Sequence, residues 1–268
     1  DLEHNNLLQI PGALTPLQRL KYLYISSNRI NNLTSDSLGS FCASLKAISL
    51  SNNQLSKIPK TALLRCDQLV HLNIGYNYLN EIHDEDFESW GTKLETLLLR
   101  NNRLSAISPH TFRHASKLRE LSLSFNKLVN VNEHAFDELK ISLESLEISF
   151  GLFQEELDGD FLKPLTNLFW LALDNNNINT LTANAFHSLE NLQYLNLDTN
   201  AIADVPTGLL TSKSHKQLRD VRLANNHLTI VRSRMFADLP ELQNIVLSHN
   251  HLRKIETHAF LNLVNVAN

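Results

Sequence analysis

Apolar and polar positions alternate along this chain in a pattern that returns again and again. The series L-x-x-L-x-L-x-x-N-x-L, with other aliphatics standing in for some leucines, begins at Leu20, Leu45, Leu69, Leu94, Leu118, Leu143, Leu168, Leu192, Leu218 and Leu242. A half copy, "LEHNNL", opens the chain. Self-similarity at a fixed period is the signature of a repeat architecture. In "LETLLLRNNRLSAISPHTF" the alternation predicts a short strand with Leu97 and Leu99 pointing inward and Thr96, Leu98 and Arg100 pointing outward. The asparagine-rich corner then turns the chain. The corner asparagine falls at Asn5, Asn28, Asn53, Asn77, Asn102, Asn126, Asn176, Asn200, Asn226 and Asn250. Gly151 holds the vacant slot, and the steps are then 23 to 26 residues. Ten residues after the slots from Asn28 onward stands a large apolar side chain, among them Leu38, Phe87, Phe136, Phe186 and Phe260.

One repeat buries about six large apolar side chains at ~1.5–3 kcal/mol each, while ordering each of its residues costs ~1–2 kcal/mol of backbone entropy. No repeat folds alone. Stacking supplies the shared core and the strand ladder, so the pattern predicts a curved α/β solenoid. A parallel β-sheet lines its concave face, and loops, short helices or 3-10 turns line its convex face. The reading is one array over residues 1–268, of about 11 repeats. Both ends fall within repeats, and the piece is expected to belong to a longer ectodomain.

The motifs resemble the extracellular leucine-rich repeats of animals, in the subtype of about 24 residues with a convex-side phenylalanine. Segments such as "WLALDNNNI" and "LSHNHLRKIETHAF" are similar to the chaoptin-like adhesion proteins of insect photoreceptors. That resemblance implies a very long array, a lipid (GPI) anchor beyond this piece, attachment at the outer face of the plasma membrane, and homophilic cell adhesion. The expected partner is a protein, a second copy of the chain among the candidates. A Toll-type or axon-guidance receptor ectodomain binding a soluble ligand is the alternative, and an intracellular scaffold or inhibitor is the third reading.

Strand alternation assigns side chains to the concave surface, where repeat proteins bind. Trp170 and Tyr194 fall in one column on neighbouring strands, and exposed aromatics are common interface anchors. Glu120, Glu147, Asp174, Asp198 and Asp220 gather around them, with Arg222 as the basic exception. These eight residues form the candidate partner-binding patch. Phe125 and Phe150 precede the asparagine slot, a template position that often carries Asn or an aromatic, and are set aside.

The copy at residues 143–167 is atypical. In "EISFGLFQEELDGDF" Gly151 replaces the asparagine, and Glu156 stands where other copies have an aliphatic, with Leu157 one place late. Loss of the asparagine is expected to remove hydrogen bonds worth ~0.5–1.5 kcal/mol each. The result would be a weak point presenting Glu155, Glu156, Asp158 and Asp160 beside Trp170 and Tyr194. Gly151→Asn, with stability and adhesion measured together, tests this reading.

Composition narrows the functions. With 43% hydrophobic and 19% charged residues the chain has the make-up of a folded soluble domain. A formal charge of −4 without a Lys/Arg cluster argues against nucleic acid. No apolar run approaches the ~20 residues that span a bilayer, so no membrane insertion by this segment is expected. The opening residues do not read as a signal peptide. His110, His134 and His258 each lie eight residues after a slot, as template positions rather than a site. Without H-E-x-x-H, G-x-S-x-G or a phosphate-binding loop, neither catalysis nor a cofactor is expected. The acidic "EELDGD" lacks the spacing of a known calcium loop. Asn32-Leu33-Thr34 is a glycosylation sequon. Cys42 and Cys66 each precede a repeat's first leucine by three residues. They make a disulfide if their Cα atoms come within ~7 Å, and otherwise pack as buried thiols.

Overall fold

The computed structural model describes residues 1–267. Asn268, the final residue of the array read from the sequence, lies outside the described residues. Three-residue strands from Tyr22–Tyr24 to Asn244–Val246 form one parallel 10-stranded sheet in chain order. Consensus positions pair without slippage: Tyr22 faces Ala47, Trp170 faces Tyr194, and Tyr194 faces Asp220. The central residue of nearly every strand, such as Leu97, Leu121, Leu146 and Leu171, is fully buried. Its neighbours on either side face the concave surface, as a two-residue period requires.

Behind the sheet the phenylalanines form a buried spine. Phe87, Phe112, Phe136 and Phe161 follow one another with ring centroids 6.0, 5.8 and 6.1 Å apart. The far side carries 3-10 turns and, among the described residues, three small sheets of two-residue strands, including Ala106–Ile107 with Asn130–Val131. The α-helical content there is slight: one turn, Lys60–Leu63, among the described residues.

The corner asparagines form an internal ladder. Asn102 Oδ1 accepts the Leu79 amide at 3.0 Å, while its Nδ2 donates to the carbonyls of Ile74 and Leu99 at 3.1 and 3.0 Å. Asn53, Asn77, Asn126, Asn200 and Asn226 do the same on their coils. Short side chains with one acceptor and two donors thereby satisfy backbone groups that burial would otherwise leave unpaired. The residue before each slot is left-handed, with φ between 52° and 57°, a conformation that Asn tolerates and bulky residues resist.

At Gly151 the expected loss of hydrogen bonding occurs only in part: the Leu123 and Ile148 carbonyls, which an asparagine Nδ2 here would also meet, accept from Asn126 and Asn176 alone. The Gly151 carbonyl itself accepts the Leu128 amide at 2.7 Å, the role that an asparagine Oδ1 fills elsewhere. The Gly151 and Leu152 amides both donate to Asn176 Oδ1 at 2.9 Å. This is possible because the backbone has sunk inward: a Cβ on Gly151 would lie 3.2 Å from the Leu123 carbonyl. Leu152 bridges Leu128, so the corner is one residue short. The slack returns afterwards, since Leu157 follows Leu152 by five positions, against three for Leu181 after Ile178. Leu157 is fully buried opposite Leu181, and Glu156 faces solvent. The chain re-enters register at Gly159, whose φ is +79° and where a Cβ would overlap the Ala185 carbonyl. The acidic turn belongs to the small sheet with Thr180–Leu181, not to the sheet carrying Trp170. It therefore does not extend the concave patch as expected.

Cys42 and Cys66 form a disulfide with Cα atoms 4.6 Å apart. Cys42 lies in the turn Gly39–Ser44 and Cys66 three residues beyond Lys60–Leu63, both buried. Their equivalent places on successive coils bring the side chains together.

Candidate functional site

The shared register of strands Trp170–Ala172 and Tyr194–Asn196 sets Trp170 beside Tyr194, with ring centroids 3.6 Å apart and planes 11° from parallel. Adjacent strands lie ~4.8 Å apart, so same-column aromatics stack face to face. Trp170 remains 36% exposed, a large apolar surface held open on the concave side. Partial burial raises the Tyr194 phenol above its ordinary value, and the phenol stays neutral.

The candidate carboxylates divide into two groups. Asp174 accepts from Ser149 Oγ and Asn175 Nδ2, both at 2.7 Å. Asp198 accepts from Arg222 Nε at 2.8 Å and the Ala224 amide at 2.7 Å. The hydrogen bond from Arg222 to Asp198 holds the guanidinium above its ordinary pKa. Asp174, Asp198 and Arg222 are thus committed to contacts within the array. Glu120 and Glu147 make no ion pair among the described residues. Asp220, next to Tyr194 in its column, accepts from Asn244 through Oδ2 at 2.7 Å, while its Oδ1 is buried without a partner. The face around the aromatic pair is therefore negative, and Glu120 and Glu147 carry its open acceptors.

His110 and His134 stack with centroids 6.3 Å apart, and His110 Nδ1 lies 2.7 Å from Glu138 Oε1. Among the described residues no group of three or more His, Cys, Asp or Glu is placed to hold a metal ion. Among the described residues no helix is long and apolar enough to cross a membrane. Asn32 is exposed on the turn that follows the first rung.

The pair that the sequence reading set aside is brought together on the surface. Phe125 and Phe150 stack with centroids 4.6 Å apart and are 39% and 47% exposed. Arg100 lies over the Phe125 ring at 5.3 Å and the Tyr76 ring at 5.4 Å. The available signal was an aromatic at a corner position where most copies carry a small or amide side chain.

Compared with solved structures, the chain is similar to a chain of the octameric complex of Latrophilin 3, Unc5D and FLRT2 (LRR), with a TM-score of 0.83 and 23% identity. That match covers 97% of this chain and 77% of the other. It is similar to a chain of the Toll–Spatzle complex from Drosophila, with a TM-score of 0.72 and 22% identity, covering 92% of this chain. This chain spans only 38% of the length of that one. An internalin from Listeria monocytogenes matches with a TM-score of 0.66 and 21% identity, over 91% of this chain and 72% of that one. These likenesses concern the fold. No curated protein matches the chain. The Leucine rich repeat family pattern matches residues 43–90, 92–150, 141–202 and 216–267, and a further Leucine Rich Repeat pattern matches residues 19–41. With the asparagine ladder and the parallel concave sheet beneath those matches, the chain belongs to the leucine-rich-repeat family.

Proposed function

We propose that this array is a non-enzymatic protein-binding module of an extracellular cell-surface protein, and that it acts in cell–cell adhesion through its concave face. The observation that carries the reading is the Trp170–Tyr194 stack, exposed and ringed by carboxylates. A rigid aromatic pair offers a partner a large contact area at little cost in side-chain entropy. The buried Cys42–Cys66 disulfide favours an oxidising compartment over an intracellular scaffold, and exposed Asn32 suits glycosylation there. The sequence resemblance to chaoptin-like proteins makes a second copy of the chain the first partner to test, with lipid anchorage supplied outside this piece. Within this reading, residues 1–268 are one array of about 11 repeats.

A receptor ectodomain that binds a soluble protein is the second reading. It is favoured by the likeness to the Toll chain, which is seen in complex with Spatzle.

Cells that do not otherwise adhere, displaying the protein that contains this array, would be mixed with unlabelled parental cells. Sorting into self-clusters that Trp170→Ala/Tyr194→Ala abolishes is the expected result. Clustering unaffected by that double substitution would remove the concave patch from the mechanism, and absence of clustering would remove homophilic adhesion.

A further inference from the structure

Along the edge where the strands turn into the corners, four consecutive coils present a second surface, separate from the Trp170–Tyr194 column. Tyr76, Phe125 and Phe150 occupy the left-handed corner position, with φ of 52°, 57° and 53°. A bulky side chain is costly in that conformation, and Asn or Ser fills it on several neighbouring coils. The cost is not offset by burial, because all three rings are between 39% and 47% exposed. The reshaped coil at Gly151 enlarges the same edge. Its outward position after Leu152 carries Phe153, 53% exposed, beside Val129, which is 60% exposed. Exposed apolar side chains gathered on one edge mark an interaction surface.

Arg100 identifies what that surface takes. Asn101 interrupts the aromatic column, and the Arg100 guanidinium spans the gap by lying over the Tyr76 and Phe125 rings. Gly75 makes this possible: a Cβ there would lie 3.1 Å from Arg100 Cγ. On the other side of the same corner, Arg103 lies 4.4 Å above the Tyr78 ring. Neither arginine forms an ion pair among the described residues, and Arg100 Nε is buried without a hydrogen-bond partner. A guanidinium whose faces are covered by rings keeps its in-plane N–H donors, and that fork matches a carboxylate.

We infer that the edge from Tyr76 to Phe153 is a second protein-docking site, and that it binds an acidic segment in which carboxylates alternate with apolar side chains. Arg100 and Arg103 engage the carboxylates, while Phe125, Phe150 and Phe153 take the apolar side chains. The charge is opposite to that of the concave patch, so the two faces select different partner segments.

The test is panning of a random-peptide display library on the immobilised wild-type protein, followed by titration of a synthetic enriched peptide. Peptides rich in Asp or Glu beside Leu or Phe are the expected yield. Phe125→Asn/Phe150→Asn installs the residue that other coils carry at this corner, so the fold is retained and its melting temperature does not fall. Arg100→Lys keeps the charge but loses the stacked fork. Each variant is expected to weaken the peptide by about tenfold or more, with Trp170→Ala without effect. Absence of acidic peptides from the enriched pool, affinity unchanged in both variants, or binding of heparin in place of peptide would each overturn the proposal.

Discussion

The carbonyl of Gly151 accepts the Leu128 amide at 2.7 Å, doing with backbone what the other coils do with an asparagine side chain. The acceptor half of the rung is filled from the backbone, and an added side chain would crowd the corner. A Cβ at this position would stand 3.2 Å from the Leu123 carbonyl and 3.5 Å from the Phe125 amide nitrogen. Gly151→Asn is therefore expected to destabilise the array by about 1–2 kcal/mol, the range for forcing atoms into a packed site. Chemical denaturation of the two proteins side by side checks this, and a variant with a higher midpoint would show that the corner can revert to the template.

An intact rung behaves differently. Asn102→Ala would strip the buried Leu79 amide of its partner and leave the Ile74 and Leu99 carbonyls with one donor each, from Asn77 and Asn126. Leaving a buried donor unsatisfied is costly, so a loss of about 1–3 kcal/mol is expected. Asn250 makes equivalent bonds at a less buried place, and Asn250→Ala is expected to lose less in the same unfolding experiment. Equal losses would mean that burial does not set the value of a rung.

Most of this frame was legible in the sequence because each repeat is a test of the others. Leu97, Asn102 and Phe112 recur as chemical types at fixed distances, and a parallel register without slippage carries those distances into space. The adjacency of Trp170 and Tyr194 follows from the same bookkeeping. What was not legible depends on where backbone and side-chain atoms settle. The Gly151 carbonyl can replace an asparagine only because the chain sinks at a residue without a Cβ. Asp174 and Asp198 look like free acids in the sequence, yet partners on their own and neighbouring coils use them. Phe125 and Phe150 fit the template well enough to be passed over, and only their open, stacked rings set them apart.

The Cys42–Cys66 bond joins residues 24 positions apart. In the chain-entropy account a loop of that length contributes about 3 kcal/mol by restricting the unfolded ensemble. Cys42→Ala/Cys66→Ala is expected to lose stability of that order, with hydrogen exchange rising first in the coils around Leu45 and Leu69. Exchange confined to coils distant from the bond would contradict this, because in a stacked array each coil supports mainly its neighbours.

His215 supplies the pH dependence. Its ring is buried, with Nδ1 accepting the Thr211 amide at 3.1 Å and Nε2 beside the Phe186 carbonyl at 3.0 Å. Both contacts fit a neutral ring protonated on Nε2. Burial pushes its pKa below the ordinary 6.5, with neighbouring His187 acting in the same direction and the contact with the Phe186 carbonyl opposing. The unfolded chain therefore binds this proton at higher pH than the folded one. The contribution to stability is fully present above the ordinary value and declines as pH falls through it toward the lowered folded value. Below that lowered value both states are protonated, and the loss from this group stops growing. The melting temperature of the wild type is expected to drop between about pH 7.5 and about pH 5, and His215→Gln is expected to lessen the drop. If the substituted protein kept the full pH dependence, the exposed histidines and carboxylates, rather than His215, would be its source.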